Sequence, residues 1–151
     1  MHHTLNIDDL GTALVDLMSV FSSPQRDEVL LREAGVELDR ALFPLLVRLA
    51  ARGPLGVAGL GAQVGRDHTT VSRQLAKLEG LGLVSRQETL ADRRVRTAAL
   101  TPAGDAIVRA ITAARRRLLS KVLADWSAAD LADLARLNRR FVDALVDAGR
   151  G

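Results

Sequence analysis

RDHTTVSRQLAKLEGLGLVSRQETLADRRVRTAALTPAG, residues 66–104, is the stretch from which the fold can be read. From Asp67 to about Gly80, the apolar residues Val71, Leu75 and Leu78 recur at helical spacing, which predicts a short amphipathic helix. Thr69, Thr70, Ser72, Arg73 and Lys77 fall on its other faces. Asp67 is placed to cap the helix, and Gly80 and Gly82 end it around Leu81. Residues 83–90 and 95–101 then predict two short strands joined by Ala91-Asp92-Arg93-Arg94, a hairpin with a basic tip. Thr101-Pro102 starts the next helix, with Thr as cap and Pro at the first helical position. A helix of this kind suits the major groove of B-DNA. A basic hairpin beside it can reach phosphates or the minor groove.

The charge distribution agrees. Residues 66–96 hold Arg66, Arg73, Lys77, Arg86, Arg93, Arg94 and Arg96 against Asp67, Glu79, Glu88 and Asp92, a surplus of three. The whole chain of 151 residues has 21 basic and 18 acidic side chains, also a surplus of three. The other 120 residues are therefore neutral in sum, and the positive excess sits on this one segment.

Several classes are excluded. With no cysteine, the chain can form no disulfide, thiolate metal site or cysteine nucleophile. No run of about 18 apolar residues predicts a membrane span. The N-terminal MHHTLNIDDL is polar and acidic without an apolar signal core, so a cytoplasmic protein is expected. There is no Ser/His/Asp set, P-loop or dinucleotide fingerprint, so no enzyme and no cofactor are expected. Hydrophobic residues make up 48% but aromatics only 3%, so the core must be built from Leu, Val and Ala.

Outward from the quoted stretch, the flanks read as helical. Ile7, Leu10, Leu14, Leu17, Met18 and Phe21 form one stripe, ended by Ser22-Ser23-Pro24. A second piece spans 25–34, closed by Gly35. Residues 40–52 predict a helix capped by Asp39, with Leu42, Leu45, Leu46 and Leu49 inward and Pro44 tolerable only in its first turn or at a kink. Residues 57–64 predict a short helix with Leu60 and Val64 inward, weakened by Gly59 and Gly61. The helix after Thr101 is expected to run to about Asp125. Ser127 starts the last one, with Asp130 in capping-box position and a stripe of Leu131, Leu134, Leu137, Phe141, Val142 and Leu145. Trp126 reads as a packing anchor between these two helices.

The predicted fold is mainly α with a small β-hairpin wing, a winged helix-turn-helix lobe flanked by further helices. Gly53-Pro54, Gly65 before Asp67, Thr70-Val71-Ser72-Arg73, Leu78 to Val84, Asp92-Arg93-Arg94 and Leu100 to Gly104 together resemble the multiple antibiotic resistance regulator (MarR) family. The resemblance covers about residues 37–110. It implies a homodimeric, sequence-specific regulator of transcription, a repressor on a pseudo-palindromic double-stranded DNA operator. The expected division is 1–36 and 105–151 as dimerisation helices around a DNA-binding lobe at 37–104, in one compact domain. For many members it also implies release from DNA by a small apolar or aromatic effector. A pocket lined by Leu, Val and Phe43 between the first, second and fifth helices is the place considered for one. The rival reading is a winged-helix module for protein interaction or for non-specific, architectural DNA binding.

Within that frame the expected DNA contacts are His68, Thr69, Thr70, Ser72, Arg73, Lys77, Arg86, Arg93 and Arg94. Arg73 can take a guanine edge or a phosphate. The small hydroxyls and His68 sit at the positive end of the helix, and Arg86 and Lys77 suit phosphates. Arg93 and Arg94 crown the wing, where a narrow minor groove attracts guanidinium groups. Asp92 is expected to support the wing by orienting a neighbouring arginine. Arg115-Arg116-Arg117 reads as a solvated face or a source of cross-subunit pairs with acids rather than a DNA contact. No metal site is expected, since His68 has no second ligand at metal spacing.

Overall fold

The order of elements follows from caps and periodicity. A computed structural model describes residues 2–88 and 96–151, with side chains from residue 6 onward. It contains α1 (His2–Phe21), α2 (Pro24–Ala34), α3 (Phe43–Arg52), β1 (Leu55–Gly56), α4 (Val57–Val64), α5 (His68–Gly80), β2 (Val84–Glu88), β3 (Arg96–Leu100), α6 (Pro102–Val122) and α7 (Ala128–Ala148). The contacts divide the chain into two units, Met1–Arg115 and Arg116–Gly151.

The core of the first unit is aliphatic, as the composition requires. Leu42, Leu45, Leu46 and Leu49 from the α3 region meet Leu60 of α4, Val71, Leu75 and Leu78 of α5, and Leu83, Val84 and Ala98 of the wing. Ile107 and Val108 of α6 pack against this cluster from its edge. Helix α5 thus lies with one face sealed in apolar contact and the other in water.

The sheet has three antiparallel strands in the order β1-β3-β2. The hairpin register pairs Val84 with Leu100 and Glu88 with Arg96. The two-residue β1 was not foreseen. It pairs Leu55 with Ala98 and Gly56 with Thr97, and is too short to carry a period of two. The wing base is locked to α6 by Thr101, whose hydroxyl donates to the Gly82 carbonyl at 2.6 Å and accepts from the Gly104 amide at 3.1 Å. The Thr101 amide bonds the Leu83 carbonyl at 3.1 Å. A Cβ at position 104 would collide with that same carbonyl, so only glycine fits there.

Some helix boundaries differ from expectation. Helix α3 starts at Phe43 rather than at 40, because Pro44 must sit in the first turn. Asp39 does not cap that helix. Its carboxylate accepts from the Ala41 amide at 2.9 Å and its carbonyl from the Leu42 amide at 2.9 Å, forming a separate turn ahead of α3. Helix α6 ends at Val122, three residues before the expected Asp125. Trp126, read as a packing anchor, is 46% exposed in this single chain.

Ser127 caps α7 as expected, its hydroxyl accepting from the Asp130 amide at 3.1 Å. Along α7 no residue is buried, and Leu134 and Leu145 lie about half in water. Along α1, Ile7, Met18 and Phe21 are each more than 60% exposed. Both helices therefore leave apolar stripes wet in the single chain, a pattern typical of surfaces that associate. No helix among the described residues is long and apolar enough to cross a membrane.

Candidate nucleic-acid interface

Helix α5 is the centre of the candidate site. Gly65 closes α4, and Asp67 caps α5. The Asp67 carboxylate accepts from the Thr70 amide at 2.7 Å and from the Thr70 hydroxyl at 3.0 Å. These bonds, with help from the nearby Arg73 charge, hold the Asp67 carboxyl below its ordinary value. An acid with a lowered folded-state pKa stabilises the fold above its unfolded pKa and loses that contribution as the pH falls through its folded value. Asp67→Ala should therefore lower the melting temperature at neutral pH. The deficit should shrink once the pH drops below the ordinary carboxylate value of 3.8. Melting curves of both proteins across the acid range check this; a deficit independent of pH would show that the charge is not the cause.

With Val71, Leu75 and Leu78 buried, the helical repeat puts Thr69, Arg73 and Ala76 directly opposite the core. Thr69, Arg73 and Lys77 stand one turn apart in a single exposed row. His68 is exposed at the first turn, and Ser72 is half-buried on the flank facing the wing. Thr70 is half-buried, and its hydroxyl proton is given to Asp67, which leaves its oxygen as an acceptor. The structure thus brings together His68, Thr69, Arg73 and Lys77 on open surface and places Thr70 and Ser72 at its margins.

Arg86 occupies a different place. It is half-buried on β2, and its Nη2 donates to the Ser72 carbonyl of α5 at 3.4 Å. Its Nε is buried without a hydrogen-bond partner among the described residues. The guanidinium therefore lies at the junction of wing and helix. Asp92, Arg93 and Arg94 fall within 89–95, outside the described residues. Arg96, at the start of β3, is exposed.

Sequence reasoning missed the destination of Arg66. It was counted with the basic surplus, yet it is half-buried, with Nη1 donating to the Ala41 carbonyl at 2.6 Å and to Gln74 Oε1 at 2.8 Å. Its position just before a helix cap carries no signal of this, because one partner lies 25 residues away.

The first helix carries a groove of its own. It has a volume of about 650 Å³, is lined by Ile7, Asp8, Gly11, Thr12, Val15 and Asp16 and is open to water. Among the described residues no cluster of His, Asp and Glu could hold a metal ion.

Comparison with known proteins points the same way as the geometry. A model of the MarR family matches residues 38–95. YxaD of Bacillus subtilis, described as an uncharacterized HTH-type transcriptional regulator, is 31% identical over 110 residues, 70% of this chain and 77% of its own length. A MarR family protein from Bacillus stearothermophilus superimposes with a TM-score of 0.78 at 22% identity, over 93% of this chain and 96% of that one. A mutant of S. aureus MepR bound to an oligodeoxyribonucleotide superimposes with a TM-score of 0.58 at 19% identity, over 89% and 97% of the two chains.

Proposed function

The chain belongs to the MarR family of transcriptional regulators, and from that premise we propose that it is a homodimeric repressor of a pseudo-palindromic operator. The observation that carries the reading is the exposed row of Thr69, Arg73 and Lys77 on a helix whose opposite face is sealed into the core. A helix held in this way can present its side chains to base edges with little freedom to lose. Arg73 is the base-reading residue of the proposal. His68, Thr69, Thr70, Ser72 and Lys77 serve bases and phosphates around it, and Arg93 and Arg94, supported by Asp92, serve the adjacent minor groove. Arg86 joins them with the N–H donors that the Ser72 carbonyl does not occupy.

The stripes of α1 and α7, which belong to the flanking segments 1–36 and 105–151, supply the dimer contacts around the lobe at 37–104. Two-fold symmetry then sets half-sites about one helical turn apart, roughly 10 bp centre to centre. The site of action is the chromosome in the cytoplasm, and the activity is binding rather than catalysis. Release by a small apolar or aromatic effector belongs to the same proposal, and a gain in melting temperature with such a compound would identify one.

The test is selection of genomic fragments by the purified protein at about 150 mM salt. A shared palindrome near promoters is the expected result. Retention without a common motif would favour an architectural role, and no retention a protein-binding one. On the selected operator, Arg73→Ala should cost about 1–3 kcal/mol of specific binding while random DNA is held nearly as before. Equal losses on both DNAs would remove Arg73 from base reading.

A further inference from the structure

Arg66 adds to the positive surplus of the reading segment but directs its charge inward. Its backbone is fixed first. The Arg66 amide donates to the Gly61 carbonyl of α4 at 3.1 Å. A Cβ on Gly61 would come within 2.8 Å of the Arg66 carbonyl oxygen, closer than real Cβ atoms approach backbone. The glycine that looks like a weakness in α4 is what lets the residue 66 backbone lie against that helix.

From that fixed point the side chain spans two other segments. Nη1 donates to the Ala41 carbonyl at 2.6 Å and to Gln74 of α5 at 2.8 Å. Ala41 is itself held, because its amide donates to the Asp39 carboxylate. The turn at 39–42 follows directly on the segment leading in from α2. One guanidinium thus ties the entry to the lobe, the α4–α5 turn and the middle of α5.

We propose that Arg66 is a positioning residue for DNA recognition, which sets the rotation of α5 relative to the turn at 39–42 and contacts no DNA itself. The proposal rests on the reading of α5 as the DNA-facing helix. One of the two charge-assisted bonds holds Gln74, which sits one residue beyond Arg73 on the same helix, and the other holds the Ala41 carbonyl. Losing them frees α5 to rock about its apolar contacts, which shifts Arg73 relative to a base edge without removing any phosphate contact.

The experiment compares wild type, Arg66→Met, Arg66→Lys, Gln74→Leu and the Arg66→Met/Gln74→Leu double variant on operator and random DNA across a salt series. Amide hydrogen exchange of residues 68–74 is measured in the free proteins. Arg66→Met should lower the operator-to-random ratio roughly tenfold, as expected for loss of hydrogen bonds to a charged group. Random binding and the slope of log affinity against log salt should stay as in wild type. Exchange in α5 should quicken. Gln74→Leu should reproduce most of the loss, the double variant should add little, and Arg66→Lys should restore part of the ratio.

An unchanged ratio with unchanged exchange overturns the proposal. So does a slope flattened by about 0.9, which would make Arg66 a phosphate contact. If Arg66→Met unfolds, Gln74→Leu decides, since it leaves the bond to Ala41 in place. A wild type without operator preference sinks the DNA-reading function itself. A wild-type preference that survives the substitutions sinks only the role of Arg66.

Discussion

Leu134→Glu is expected to turn the proposed dimer into monomers and to abolish binding to the proposed operator. Leu134 is 45% exposed in the single chain, on the α7 stripe shared with Phe141 and Leu145. No α7 residue is buried, so little of that helix's apolar surface is removed from water within one chain. In a two-fold interface one substitution appears twice, and two carboxylates must then be desolvated or the interface must open. A combined cost of about 4 kcal/mol would raise the dimer dissociation constant roughly a thousandfold. The monomer should keep its helices, because α7 is capped by Ser127 and the substituted side chain faces water. Sedimentation velocity reads the assembly state, and DNA retardation reads the loss of the second half-site. A variant that stays dimeric would place the interface elsewhere than on this stripe.

Leu75→Ala is expected to destabilise the lobe by about 3 kcal/mol. Leu75 is 1% exposed and stands between Val71 and Leu78 on the inner face of α5. Its truncation leaves a cavity among side chains held by α3, α4 and the wing, which cannot all move inward together. The corresponding drop in melting temperature is about 10 °C. The next residue supplies the control. Ala76 is exposed on the opposite face, and Ala76→Ser should change stability by less than about 0.5 kcal/mol. Calorimetric or circular-dichroism melting of the two variants makes the comparison. Similar losses at both positions would show that α5 is not seated by this face.

What could be read in advance was local. The Asp67 cap reaches only to Thr70, the Ser127 cap to Asp130, and the Thr101 hydroxyl to the Gly104 amide, each within three residues. The inner face of α5 and the leucines of α3 declared themselves by period, because burial on one side imposes a repeat of 3.6 residues. The same repeat put Thr69, Thr70, Ser72, Arg73 and Lys77 off that face, and the structure leaves Thr69, Arg73 and Lys77 of them exposed. The start of α3 was misread because Asp39 suits a turn as well as a cap, and only the requirement of Pro44 for a first-turn position separates the two.

The sequence by itself thus determined the caps at Asp67 and Ser127 and the apolar face of α5, since each depends on neighbours within about one helical turn. Tertiary structure alone decided the third strand and the destinations of Arg66 and Arg86. Leu55 meets Ala98 across 43 residues, and Arg66 and Arg86 reach backbone carbonyls 25 and 14 residues away. An arginine facing a phosphate and one gripping a carbonyl are the same letter in the chain. Which acceptor lies within reach of its five N–H donors is settled only when distant segments pack together.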